Sequence, residues 1–224
     1  MTPDSPALNF IFINGKGSGG KDTQANLLLE TIPNSIRLST GDIYRGAKSQ
    51  QGEYAGFFSR IEPYIEAVDK QGALIPDEVI FPIVEAVIEK NAEKGITTFI
   101  FTGFPRTIPQ LDSTDKLMET LRQRHAVEAS FACIAILDEH SRKRAGGRYE
   151  SALRENTKPR PDDIPETVEK RLEIYRKNTS LMLHKLAREG RLVVIKGSEG
   201  IQEVWRRTKE RLESPTSRPS KEIS

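Results

Sequence analysis

The sequence predicts an α/β fold in which a doubly wound, five-stranded parallel sheet is flanked by helices on both faces. Three observations predict it. Short uninterrupted apolar runs recur along the chain, segments of helical periodicity separate them, and a glycine-rich loop joins the first run to the first helical segment. Continuous apolar runs are what strands buried on both faces require, and strands connected through helices pair in parallel with right-handed crossovers.

Phe10-Ile-Phe-Ile13, rich in aromatic and β-branched residues, is the first strand. Ala25, Leu28, Leu29 and Ile32 keep one face of the helix after it, and Ser35-Ile-Arg-Leu38 is a shorter second strand. Residues 41–93 carry helical patterns with turn signals at Gly52, Gly72 and Pro76 and no strand, which makes them a helical insertion. Thr98-Phe-Ile-Phe101, Phe131 to Leu137 and Leu192-Val-Val-Ile195 complete the strands, and Val168, Leu172, Tyr175, Met182, Leu183 and Leu186 mark a long helix. The polar stretch 149–161 lacks periodicity, the mark of either a functional lid or a disordered loop. Residues 1–8 read as a flexible start and SPTSRPSKEIS at 214–224 as a disordered tail.

With 34 Lys and Arg against 32 Asp and Glu in 224 residues, the net charge of +2 gives no whole-molecule attraction to nucleic acid or membrane. Apolar residues at 36% and charged residues at 29% suit a globular chain with one ordinary core. No apolar stretch is long enough to span a membrane, and MTPDSPALNF lacks a basic region followed by an apolar one, so a cytoplasmic location is expected. The single Cys133, inside FACIAIL, cannot form an internal disulfide and reads as a small buried residue. His125, His140 and His184 keep no ligand spacing, which excludes a structural zinc site.

The loop Gly15-Lys-Gly-Ser-Gly-Gly20-Lys21-Asp22-Thr23-Gln24 has the spacing G-x4-G-K of a phosphate-binding loop. Glycines let amide groups turn inward, the helix start adds partial positive charge, and the lysine neutralises distal phosphates. Asp22 stands where a Ser or Thr hydroxyl normally holds Mg²⁺; alternatively the stretch is a plain glycine turn with Asp22 capping a helix. A second signal lies between 142 and 160, where Arg142, Lys143, Arg144, Arg148, Arg154, Lys158 and Arg160 face only Glu150 and Glu155. Such a concentration is either fully solvated or stabilised by an anion.

Further blocks follow in order: Leu38-Ser-Thr-Gly-Asp-Ile-Tyr-Arg45, Gly72-Ala-Leu-Ile-Pro-Asp77, Phe101-Thr-Gly-Phe-Pro-Arg-Thr-Ile-Pro-Gln110, Arg144-Ala-Gly-Gly-Arg148, Arg160-Pro-Asp-Asp163 and Lys170-Arg171. With them the chain resembles adenylate kinase and, more widely, the nucleoside monophosphate kinases, over residues 9–213. The resemblance implies a monomeric unit with core segments 9–40, 94–148 and 161–213, an NMP-binding insertion at 41–93 and a short lid at 149–160 that lacks the cysteines of the zinc-binding form. It implies Mg²⁺-dependent interconversion of ATP and AMP with two ADP, and no nucleic-acid or membrane partner. Lys21, Arg106, Arg144, Arg148, Arg160 and Arg171 are the implied catalytic cations. ATP is assigned to Gly15, Ser18, Gly19, Gly20, Lys21, Asp22, Thr23, Arg144, Arg148 and Glu199, its base held partly by backbone near Gly197 to Gly200. AMP is assigned to Thr40, Arg45, Ala73, Leu74, Ile75, Gly103, Arg106, Gln110, Arg160 and Arg171, with Gln110 reading the base edge. Thr40 with Gln110 matches the AMP-selective rather than the UMP/CMP pattern.

Three positions depart from the family. Thr102 replaces an Asp that usually precedes Gly-Phe-Pro-Arg, Asp22 replaces a Gly, and Gly17 replaces a common Pro. The expectation is that Asp22 takes over Mg²⁺ binding directly or through water, with Asp42 as a second outer-sphere partner. The alternatives are a repulsive Asp22 with weak activity, a kinase for another monophosphate, or a nucleotide sensor.

Overall fold

The computed structural model describes residues 7–71 and 75–213. Residues 1–6, the tail 214–224, and Gly72, Ala73 and Leu74 lie outside the described residues. Five strands, β1 (Leu8–Gly15), β2 (Ser35–Leu38), β3 (Thr98–Thr102), β4 (Val127–Ala135) and β5 (Leu192–Lys196), form one parallel sheet in the order β2-β3-β1-β4-β5. Among the described residues ten α-helices accompany them: α1 (Lys21–Thr31), α2 (Thr40–Ser49), α3 (Phe58–Ile61), α4 (Ile65–Gln71), α5 (Asp77–Ala92), α6 (Ile108–Arg122), α7 (Asp138–Arg154), α8 (Pro165–Ile174), α9 (Ser180–Arg188) and α10 (Ile201–Glu213).

Alternation along each strand sends neighbouring side chains to opposite faces, and both faces are buried. Phe10, Phe12, Phe99, Phe101 and Phe131 share one face, where they meet buried residues of α2, α5, α6 and α9. Their rings are stacked across the strands at centroid separations of 5.3 Å for Phe10 and Phe99, 5.1 Å for Phe12 and Phe101, and 4.8 Å for Phe12 and Phe131. Ile13, Ile100, Ala132, Ile134 and Ile195 face the other way, against Ala25 and Leu28 of α1 and Val204 of α10. Successive strands are added first on one side of β1 and then on the other, so a crevice opens at the carboxyl ends of the central strands.

Several boundaries differ from the sequence reading, beginning with Leu8, which is buried in β1 rather than part of a flexible start. The fourth strand begins at Val127, not Phe131, because pairing with β1 from Leu8 onward carries an alternately exposed stretch into the sheet. Leu137, expected at its end, is 61% exposed and precedes α7 instead. The polar stretch expected to leave helical structure at 149 stays helical to Arg154. Only Ser141 and Ala145 of α7 are buried, so this helix carries no apolar stripe from which its end could be read. The long helix is α8 and α9 joined by a π-helical segment, Tyr175–Thr179.

Candidate active site

The glycine loop leaves β1 in the crevice. A Cβ at Gly15, whose φ is +142°, would lie 2.5 Å from the Ile134 carbonyl oxygen, so the close approach of β1 to β4 demands glycine there. Gly20, with φ +90°, occupies the cap position of α1, and Asp22 sits in the first turn rather than at the cap. Asp22 is still well placed, since a carboxylate favours the positive end of a helix. Lys21 Nζ donates to the Lys16 carbonyl at 2.8 Å and thus lies folded over the loop.

Helix α7 is fastened along the same loop. Lys16 Nζ donates to Ile136 O at 2.8 Å and meets Asp138 at 2.5 Å, with Tyr175 beneath it at 5.9 Å from the ring centre. The Ser141 hydroxyl donates to Gly17 O at 2.7 Å, and Arg148 Nη2 donates to Ser18 Oγ at 2.8 Å. Residues 138, 141, 145 and 148 fall on one face of a helix, which explains why this row meets the loop. Arg144 lies over Gly20 and donates to the Gly197 carbonyl at 2.8 Å. Arg148 is held from behind by Asp163, which is 2% exposed and accepts from both Nε, at 3.0 Å, and Nη2.

Lys21, Arg106 and Arg171 are brought within electrostatic reach of one another. Burial pushes the Lys21 ammonium down to about 8; Asp22 opposes that shift, while Arg106 and Arg171 add to it. Arg106 is pushed down to about 10 by burial and by Arg171. Arg171 itself pairs with Asp162 at 2.6 Å. Like charges held together in this way favour whatever anion can enter between them.

Thr40, Ile75, Gly103, Arg106 and Gln110 line one cleft, with apolar walls from Tyr44, Val68, Ile80 and Phe104. Thr107 caps α6, its hydroxyl accepting from the Gln110 amide N–H at 3.2 Å, while Ser39 rather than Thr40 precedes α2. The Gln110 side chain accepts from the Arg106 amide at 2.8 Å and donates to Asp77 at 2.7 Å. Arg106 Nε donates to Gly103 O at 2.5 Å. Ala73 and Leu74, assigned to the same ligand, lie outside the described residues. Arg45 is exposed and turned onto Asp42, Arg160 is exposed beyond the end of α7, and Thr23 is exposed in the first turn of α1. Glu199 pairs with Arg207 at 2.8 Å and with Lys196 at 3.3 Å, so its carboxylate is committed to cations of the chain itself.

The two carboxylates expected at Mg²⁺ do converge, but on a guanidinium. Arg37 of β2 donates to Asp22 at 3.0 Å through one terminal nitrogen and to Asp42 at 3.0 Å through the other. Among the described residues no group of three or more His, Cys, Asp or Glu could hold a metal. Two carboxylates nevertheless fit Mg²⁺, which is commonly held by one or two of them together with substrate phosphates. Thr102 is 3% exposed and its hydroxyl has no partner among the described residues, so the carboxylate lost there is not replaced at the same place. Sequence reasoning missed Arg37, Asp77 and Asp163. A lone arginine inside the strand SIRL was the available signal for the first.

The sequence profile of the adenylate kinase family matches residues 13–190. Adenylate kinases similar to this chain include that of Parabacteroides distasonis, 33% identical over 91% of this chain and 96% of the relative. That of Methanosarcina barkeri is 31% identical over 89% and 96% of the two chains, and that of Deinococcus radiodurans 32% identical over 88% and 92%.

Proposed function

Since the chain belongs to the adenylate kinase family of nucleoside monophosphate kinases, we propose that it transfers the terminal phosphoryl group of ATP to AMP, reversibly, giving two ADP. The observation that carries this reading is the convergence of Lys21, Arg106 and Arg171 at the carboxyl edge of the sheet, next to a cleft lined by Thr40, Ile75 and Gln110.

An oxygen of the AMP phosphate attacks the γ-phosphorus, the bond to the bridging oxygen breaks, and ADP leaves on the opposite side. Catalysis of such a step is mainly alignment and stabilisation of charge on the moving oxygens, so no general base is required. Inward-facing loop amides and Lys21 bind the donor phosphates, and Arg144 and Arg148 close over them from α7. Arg106 holds the acceptor phosphate, Arg171 lies between the two nucleotides, and Gln110 reads the acceptor base. Arg45 and Arg160 reach the acceptor phosphate when the insertion and the lid segment close, and closure keeps water out.

Mg²⁺ carried on the donor phosphates would be held by Asp22 and Asp42 and would supply further neutralisation of phosphate charge. Arg37 must then give up part of its contact with them. The protein is further proposed to act as a cytoplasmic monomer; among the described residues no helix is long and apolar enough to cross a membrane.

The test is an acceptor panel of AMP, CMP, UMP, GMP and dTMP with ATP as donor, with and without chelation of divalent ions. ADP formation that requires AMP and is lost on chelation is expected. Tight nucleotide binding without turnover, or preference for another monophosphate, overturns the reading.

A further inference from the structure

Resting on the acceptor reading above, we propose that Asp77 is a specificity-determining positioning residue. Together with the Arg106 amide N–H, it fixes the Gln110 carboxamide in the one orientation that accepts a 6-aminopurine and rejects a 6-oxopurine.

A carboxamide has an acceptor end and a donor end, and rotation about its last side-chain bond exchanges them. At Gln110 that freedom is removed from two sides. Oε1 accepts from the Arg106 backbone N–H at 2.8 Å, and Nε2 donates to Asp77 Oδ1 at 2.7 Å. A backbone N–H can only donate and a carboxylate can only accept. The exchanged orientation therefore sets donor against donor at Arg106 and acceptor against acceptor at Asp77. Gln110 is 5% exposed, so water is poorly placed to relieve either clash.

The two bonds leave the carboxamide with one free lone pair on Oε1 and one free N–H on Nε2. Gln110 lines the acceptor cleft, where these groups are available to a base edge. An adjacent acceptor and donor match the 6-amino donor and N1 acceptor of adenine. A 6-oxopurine presents the reverse pair, O6 as acceptor and N1–H as donor, and fails at both atoms. Asp77 is suited to the task because it opens α5 directly after Pro76, on a backbone with little freedom. It lies 33 residues from Gln110 in sequence, so the bond also ties the insertion to the strand-to-helix turn that carries Arg106.

The test compares AMP with inosine monophosphate, which differs only in bearing O6 and N1–H, as acceptors for wild-type protein and for Asp77→Asn, Asp77→Ser and Glu78→Gln. Asn or Ser at 77 can donate as well as accept, so one of the two restraints on Gln110 is lifted and only the Arg106 N–H still opposes the exchanged orientation. The ratio of kcat/KM for AMP over the inosine nucleotide should fall about ten-fold in both Asp77 variants, chiefly by gain with the inosine nucleotide. Glu78→Gln removes the neighbouring charge without touching Gln110 and should leave the ratio unchanged. Equilibrium binding of the two nucleotides should show the same change in ratio, a readout that a merely structural role would not move. A wild-type preference for AMP that survives in both folded Asp77 variants overturns the role of Asp77 alone. A wild type with no preference for AMP overturns the acceptor reading and this proposal with it.

Discussion

Replacing Asp163 by Asn tests whether Arg148 is held in place or merely rests nearby. The carboxylate is 2% exposed and receives two donors from Arg148, whose own side chain is 44% exposed. Hydrogen bonds to a buried charge are worth about 1.5–3 kcal/mol each; with the guanidinium side open to solvent, we discount the pair to about 2 kcal/mol in all. With a urea slope of about 2 kcal/mol/M or more, the unfolding midpoint should drop by somewhat under about 1 M. Turnover should fall about 10- to 100-fold, since a catalytic guanidinium displaced by roughly 1 Å loses its alignment. The KM for the acceptor should change little, because Arg148 reaches Ser18 in the glycine loop, which is proposed to bind the donor. A double-mutant cycle with Arg148→Ala isolates the pair. Unfolding free energies that add to within about 0.5 kcal/mol, with normal turnover in Asp163→Asn, would refute the clamp.

Lys21 should bind donor phosphates less well as pH rises through about 8, where its ammonium loses its proton in the ligand-free protein; calorimetric titration with ATP analogues at pH 7 and 9 checks this, and Lys21→Met should abolish the difference. The stability sign is opposite: the folded value lies below the unfolded value of 10.5, so the unfolded chain holds more protons between about 8 and 10.5 and ligand-free stability should rise with pH there. Arg37→Leu frees Asp22 and leaves Asp42 with Arg45 alone, and should tighten Mg²⁺ binding to the ligand-free protein by about ten-fold, read by calorimetry; an unchanged affinity would show that the Arg37 guanidinium does not compete with the ion. Phe12→Ala removes a ring stacked on both Phe101 and Phe131 and should cost about 3–5 kcal/mol in denaturant unfolding, because the close-packed face cannot collapse into the space.

The sheet was legible because each strand buried on both faces must be continuously apolar, as Phe10 to Ile13 and Phe99 to Phe101 are. Where burial is one-sided the pattern fades: Glu128 and Ser130 lie in β4 but are polar, and pairing with β1 rather than composition places them there. The helical character of Tyr149 to Arg154 was hidden for a related reason, since an exposed helix leaves no periodic trace. The loop and the arginines of the candidate site carry chemistry in their residue types and spacing. Their supports do not. Asp77 and Asp163 sit beside helix starts, where an acidic residue reads simply as a favourable end charge, and their partners lie 33 and 15 residues away. Arg37 joins two carboxylates that belong to different helices, a relation only the folded chain creates.

The fastening of α7 along the loop through Lys16, Ser141 and Arg148 has a mechanical outcome. Cradle and closing guanidinium groups share one frame of reference, so thermal drift of the helix carries both together. On the function proposed above, the groups that would grip the donor move as one piece, and only the acceptor side has to find its mark.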